Sequence, residues 1–100
     1  MVVANTILDI VGMTPMVRLN QITKGLGREL LVKLEFLNPG GSLKDRIARY
    51  MVQEAERSGQ LSKGSVIVEA TTGNTGVAFA MVAAVKGYRM IVVMPEGMSE

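Results

Sequence analysis

The amino-acid sequence predicts an α/β fold, with a mainly parallel, twisted sheet in a three-layer αβα arrangement that is incomplete within these residues. Three observations predict it. Two short runs rich in β-branched residues, 66–70 and 89–94, are bounded by glycine-containing turns and read as buried strands. Segments of helical character precede each run, over residues 43–57 and 77–85. The connections are short, and strands alternating with helices over short connections pair in parallel through right-handed crossovers.

The elements follow in chain order. Apolar and polar residues alternate over 16–19 and 30–35, the pattern of half-buried strands, with the flexible turn Lys24-Gly-Leu-Gly27 between them. Asn38-Pro-Gly-Gly-Ser42 must be a loop, because Pro39 lacks a donor and the two glycines are free to take positive φ. Ser42 followed by Asp45 has the spacing of a capping box, with Asp in place of Glu, and starts a helix at about Leu43. Ile47, Ala48, Met51, Val52 and Ala55 share one face of that helix, and Arg46, Arg49, Gln53, Glu54, Glu56 and Arg57 occupy the other. Gly59 ends it. Strand 66–70 leads into Thr71-Thr-Gly-Asn-Thr-Gly76, a strand-to-helix turn. Residues 77–85 are apolar all round, which predicts a helix covered on both sides and terminated by Gly87. Three parallel strands with two crossover helices would leave apolar faces uncovered around 77–85. Residues 95–100 read as a loop followed by an N-cap at Ser99 and a first-turn acid at Glu100, so a further helix and a longer natural protein are expected.

Composition narrows the chemistry. One hundred residues, 48% hydrophobic and 20% charged, fit one globular domain and argue against a disordered chain. Eleven Lys and Arg against nine Asp and Glu leave a net charge of +2, with the basic residues scattered, so no nucleic-acid partner is expected. With neither Cys nor His, the chain offers no thiolate nucleophile, disulfide, histidine base or zinc site of the usual ligands. No metal is expected, and a cytoplasmic location is compatible with the absence of Cys. The longest apolar run, 77–85, is far short of the roughly 20 residues that cross a bilayer, so no membrane span is expected. The N-terminus lacks a basic leader followed by an apolar segment, which argues against a signal peptide.

In open α/β sheets ligands bind beyond the carboxyl ends of the strands. The turn 71–76 combines backbone amides, two glycines and the polar side chains of Thr71, Thr72, Asn74 and Thr75 at a helix start, which suits an anion. It lacks the Gly-x-Gly opening of the dinucleotide fingerprint, and no Gly-Lys-Ser/Thr of a Walker loop is present. Spacing alone equally allows a turn that merely connects strand to helix. Lys44 stands in a helix first turn, where the partial positive charge disfavours an ammonium by roughly 0.3–1 kcal/mol. A lysine relieved of its proton is the nucleophile for imine formation with a carbonyl. By spacing alone, a solvated lysine neutralised by Asp45 is the readier reading.

Taken together, the motifs are more specific. Asn38-Pro-Gly-Gly-Ser-Leu-Lys-Asp-Arg46, Val68-Glu-Ala-Thr-Thr-Gly-Asn-Thr-Gly76, Ala83-Ala-Val-Lys-Gly-Tyr-Arg89 and Val93-Met-Pro-Glu-Gly-Met-Ser99 resemble the cysteine synthase (O-acetylserine sulfhydrylase) family of pyridoxal-phosphate enzymes. Gly12-Met-Thr-Pro-Met-Val-Arg-Leu-Asn20 looks like that family's opening segment, so the resemblance runs from about residue 7 to residue 100. It implies the N-terminal third of a fold type II (tryptophan synthase β-like) enzyme. Residues 1–38 would contribute to the larger domain, and residues 39–100 would begin the smaller, substrate-loop domain. Lys44 matches the lysine that holds pyridoxal 5'-phosphate as a Schiff base and then serves as base and acid at the substrate α-carbon. Asn74 matches the residue that hydrogen-bonds the cofactor's ring hydroxyl. Thr71, Thr72, Gly73, Asn74 and Thr75 match the loop that grips the substrate carboxylate and closes over it. The implied reaction is β-replacement, with acetate lost from O-acetylserine and sulfide added to give L-cysteine.

Two positions depart from the family pattern. Thr72 stands where Ser is usual, and Met13 where a polar residue is usual. The family's glycine-rich phosphate loop and its partner to the pyridine nitrogen lie beyond residue 100. Cystathionine β-synthase and O-phosphoserine sulfhydrylase share these motifs, and a noncatalytic N-terminal fragment is a further alternative. Gly73-Asn-Thr-Gly76 also satisfies the Gly-x-x-Gly of KH RNA-binding domains, but such a loop should join two helices amid basic residues, whereas a strand precedes it here. The eight Met residues fall mostly on apolar faces and read as core filler. A homodimer and a complex with serine acetyltransferase are partners that the family resemblance implies.

Overall fold

A computed structural model describes residues 1–97; the helix expected from Ser99 lies outside the described residues. In chain order come a short 3-10 helix at Ile7–Ile10, strands β1 (Met16–Arg18) and β2 (Leu31–Lys33), and a 3-10 turn at Glu35–Leu37. Helix α1 (Lys44–Arg57), strand β3 (Val66–Ala70), helix α2 (Asn74–Lys86) and strand β4 (Arg89–Val93) follow. The expected α/β class holds. β3 and β4 pair in parallel, from Val66 opposite Arg89 to Ala70 opposite Val93, with α2 as their crossover.

Residues 30–35 do not supply the third parallel strand expected beside β3 and β4. β1 and β2 are antiparallel, from Met16 opposite Lys33 to Arg18 opposite Leu31, and form a separate sheet rather than joining β3 and β4. Their side chains are largely exposed, not half-buried. β2 also stops short of Glu35. The Leu34 N–H closes the ladder on the Pro15 carbonyl at 2.9 Å, and the chain then turns so that the Glu35 carboxylate meets Arg46, Thr14 and Asn38.

The core lies between the helix pair and the parallel strands. Ala48 and Val52 of α1 meet Ala78, Phe79 and Val82 of α2, with Leu8 and Val11 closing one side and Ile67 and Met90 packed beneath. On α1 the buried stripe is Asp45, Ala48 and Val52, whereas Ile47 and Met51, expected on the apolar face, are exposed. α2 is covered on one side only among the described residues: Val77, Ala80, Ala84 and Val85 face outward. Gly87 ends α2 at φ +79°, a left-handed position that a side chain would strain, and the Tyr88 N–H returns to the Ala83 carbonyl at 2.9 Å.

At the far end of the helix pair, Glu56 accepts hydrogen bonds from Lys86 Nζ at 2.8 Å and Tyr88 Oη at 2.9 Å. That clasp holds the C-terminal ends of α1 and α2 side by side. Both helices therefore begin at the same end of the layer, where β3 also delivers the chain into the turn 71–73.

Candidate active site

Lys44 is the first residue of α1 and is half-buried. The turn before it is pinned from several directions. Ser42 Oγ accepts the Lys44 N–H at 3.1 Å, but Asp45 does not complete the expected capping box. Its carboxylate is fully buried and turns back to accept the Gly40 N–H at 2.5 Å, leaving Oδ1 without a partner among the described residues. A Cβ on Gly40 would overlap that carboxylate, so the close approach requires glycine. Asp45 is consequently not the counter-ion of Lys44, which forms no ion pair among the described residues.

The start of the same turn is held by a polar network that sequence reasoning missed. Buried Asn38 accepts the Gly12 N–H at 2.8 Å through Oδ1 and donates through Nδ2 to Glu35 Oε2, also at 2.8 Å. Arg46 grips both Glu35 oxygens, at 2.7 and 2.9 Å, and donates to the Gly12 carbonyl and to Thr14 Oγ1. Chiefly through the Arg46 hydrogen bonds, helped by those of Thr14 and Asn38, the Glu35 carboxyl is lowered from 4.5 to about 2. Arg49 donates to the carbonyls of Leu8 and Val11. The polar side of α1 is thus partly a docking face for the N-terminal segment. The polar residues flanking two prolines, Thr14 before Pro15 and Asn38 before Pro39, were the available signal.

The second half of the site is the turn 71–76. Thr71 Oγ1 accepts the N–H groups of Gly73 at 3.3 Å and Gly76 at 3.1 Å, which caps the start of α2 from outside the helix. Its own N–H donates to the Val93 carbonyl at 3.0 Å, tying the turn to β4. A Cβ on Gly76 would stand 2.7 Å from Thr71 Cγ2, so this capping position also demands a glycine. The Thr71 oxygen already accepts two N–H groups, which leaves its O–H as the group it can offer a ligand. Thr72, Gly73 and Asn74 are exposed, and Thr75 is half-buried. Nothing lies within 4 Å of where a Cβ would stand on Gly73, so the main chain there is open to a ligand. The N–H groups of Asn74 and Thr75 belong to the first turn and have no acceptor within the helix.

Thr71 and Thr72 line two adjoining cavities. One, of about 320 Å³, is completed by Gly73, Val77, Val92 and Met94; the other, of about 550 Å³, by Ala70, Val93, Met94 and Pro95. Lys44 lines neither. The structure brings Lys44 and residues 71–75 to the same end of the helix pair without enclosing them in one cavity. An amine with no acid partner and an open, amide-rich turn suit a carbonyl-bearing cofactor and a carboxylate substrate, so these residues fit pyridoxal phosphate on its amine and substrate sides. Among the described residues no group of three potential metal ligands occurs. No described helix is long and apolar enough to cross a membrane. Gly73 and Gly76 join a strand to a helix, which is not the helix-to-helix setting of a KH loop.

Comparison with known proteins agrees with this chemistry. The family profile described as "Pyridoxal-phosphate dependent enzyme" matches residues 7–100. Cystathionine beta-synthase of Mus musculus is 59% identical over 95 residues, 93% of this chain and 17% of that protein. Cysteine synthase B of Salmonella typhimurium is 51% identical over 96 residues, covering 96% of this chain and 32% of that protein. A crystal structure of a hydrogen sulfide-producing enzyme from Fusobacterium nucleatum superposes with a TM-score of 0.91 at 51% identity, over 98% of this chain and 32% of that one. The chain therefore spans between about a sixth and a third of the length of these relatives.

Proposed function

This chain belongs to the pyridoxal-phosphate dependent enzymes, and from that premise we propose that it supplies the cofactor lysine and the carboxylate grip of a β-replacement enzyme making L-cysteine from O-acetylserine and sulfide. The observation that carries the proposal is the shared end of the helix pair, where Lys44, free of an acid partner, and the open turn 71–75 both lie. Lys44 would hold the cofactor through its ε-amine and move the proton at the substrate α-carbon. Asn74 would hydrogen-bond the cofactor's ring hydroxyl. When bound, the cofactor supplies an electron sink for the carbanion left at that carbon.

The remaining roles fall to the turn. The main-chain N–H groups at the start of α2 and the hydroxyls of Thr72 and Thr75 would take the substrate carboxylate, and Gly73 would admit it close to the backbone. Thr71 would contribute its O–H while its oxygen keeps the turn in shape. The extra methyl of Thr72, relative to the family's Ser, narrows this grip. The division into an N-terminal segment, 1–38, and the start of a substrate-loop unit, 39–100, is supported by the separate sheets of β1–β2 and β3–β4.

A second reading, formation of cystathionine with homocysteine as the acceptor, is favoured by the higher identity to mouse cystathionine beta-synthase, 59% against 51% for cysteine synthase B. Both readings use Lys44 and the turn in the same way. To test them, the chain is incubated with pyridoxal phosphate, reduced with borohydride and mapped by peptide mass, with Lys44→Ala as control. Selective modification of Lys44 is expected. Label spread evenly over the lysines, or unchanged by the substitution, would contradict the assignment.

A further inference from the structure

We propose that Asp45 is a positioning residue for Lys44: its buried carboxylate is committed to the Gly40 N–H, which fixes the 38–43 turn and denies the neighbouring amine a counter-ion. The proposal rests on the assignment of Lys44 to the cofactor. An Asp directly after a Lys at a helix start would ordinarily stay in water or pair with a cation, because burying a carboxylate is costly unless it is hydrogen-bonded. Asp45 does neither. It is wholly buried, holds Gly40 through Oδ2 and leaves Oδ1 unpartnered among the described residues. The contact is so close that only glycine fits at position 40.

The neighbouring contacts give this bond its leverage. Asn38 anchors the start of the turn to Gly12 and Glu35, and Arg46 anchors the first turn of α1 to Glu35, Gly12 and Thr14. Between these two anchors, the Asp45–Gly40 bond spans the residues that carry Lys44. With the turn fixed at both ends, the Lys44 backbone is held in place. Misplacement of a reacting group by about 1 Å can cost on the order of 100-fold in rate.

Three variants of the chain, Asp45→Asn, Asp45→Ala and Gly40→Ala, test this with two independent readouts. The first is the pH midpoint of Lys44 towards a general acylating reagent, read by peptide mass alongside the other lysines. The second is the share of borohydride-fixed pyridoxal phosphate found at Lys44. Asp45→Asn, which keeps an oxygen for the Gly40 N–H, should leave the acylation midpoint in place and retain most of the selective label. Asp45→Ala and Gly40→Ala should each lower the Lys44 share of label on the order of tenfold.

A midpoint that drops by about a pH unit or more in Asp45→Asn would make Asp45 the counter-ion of Lys44 and overturn the proposal. So would an Asp45→Ala variant that labels like the unsubstituted chain. If the unsubstituted chain shows no selective label, the cofactor assignment itself fails, and the positioning role falls with it.

Discussion

A single hydroxyl and a single carboxylate illustrate how much of the site rests on individual residues. Thr71 Oγ1 caps α2 through the N–H groups of Gly73 and Gly76, so Thr71→Val, nearly the same shape without the acceptor, should cost about 0.5–2 kcal/mol. Thr71→Ser should recover most of it. Amide exchange at Gly73 and Gly76, compared across the three proteins, checks this; unchanged protection in Thr71→Val would contradict the cap. Glu35 sets an acid limit. Its folded carboxyl lies at about 2, below the ordinary 4.5, so its contribution to stability is complete above about 4.5 and is lost as pH falls towards 2. Urea midpoints between pH 6 and about 2 should therefore fall more steeply for the unsubstituted chain than for Glu35→Gln.

Among the elements, the parallel helix pair decides where the proposed site lies, and its far clasp can be measured. The Glu56 carboxylate, by hydrogen bond first, holds the Tyr88 phenol above its ordinary 10, and the neutral phenol favours the folded state. That contribution is present below about 10 and is lost as pH rises through the raised value. In Glu56→Gln the Tyr88 ionisation, followed by ultraviolet absorbance, should move back towards the ordinary value. Val82 is fully buried where the helices meet, and Val82→Ala should cost about 2 kcal/mol by removing two methyl groups from a closed core. A denaturation midpoint unchanged by that substitution would contradict the packing described.

The elements also show what the sequence could reveal. The helices, the parallel β3–β4 pair and the strand-to-helix turn were legible because each has a full period of apolar residues or a glycine-bounded boundary. The direction of β1 and β2 was not, since three-residue strands carry too little pattern to define a partner. Capping shows the same limit. Thr6 to Asp9 and Ser42 to Asp45 have identical spacing, yet only the first forms the reciprocal box, because the Gly40 N–H draws Asp45 away. Arg46 read as a solvent-face residue because helical periodicity describes one helix and is blind to a distant segment docking on it. For the proposed site, Lys44 and residues 71–75 stand out as a motif, whereas the Glu35, Asn38 and Asp45 contacts around them are made only in three dimensions.

At the scale of the whole chain, apolar surface remains uncovered among the described residues. Val77 and Val85 on α2, and Val93 and Met94 at the end of β4, are each at least 40% exposed. Apolar faces of this kind are contact surfaces. The chain should associate with rising concentration, and Val77→Glu should weaken that association in sedimentation velocity; a monomer at all concentrations would contradict it. The most direct test of the shared end is a nitrogen-15 NMR titration of the chain, first with pyridoxal phosphate and then with O-acetylserine. The amides of Lys44 and Asn74 should shift together and saturably in the first titration, and those of residues 71–75 in the second. Shifts confined to other surfaces, such as the cavity of about 380 Å³ beside Arg18 and Arg28, or shifts that never saturate, would contradict the account.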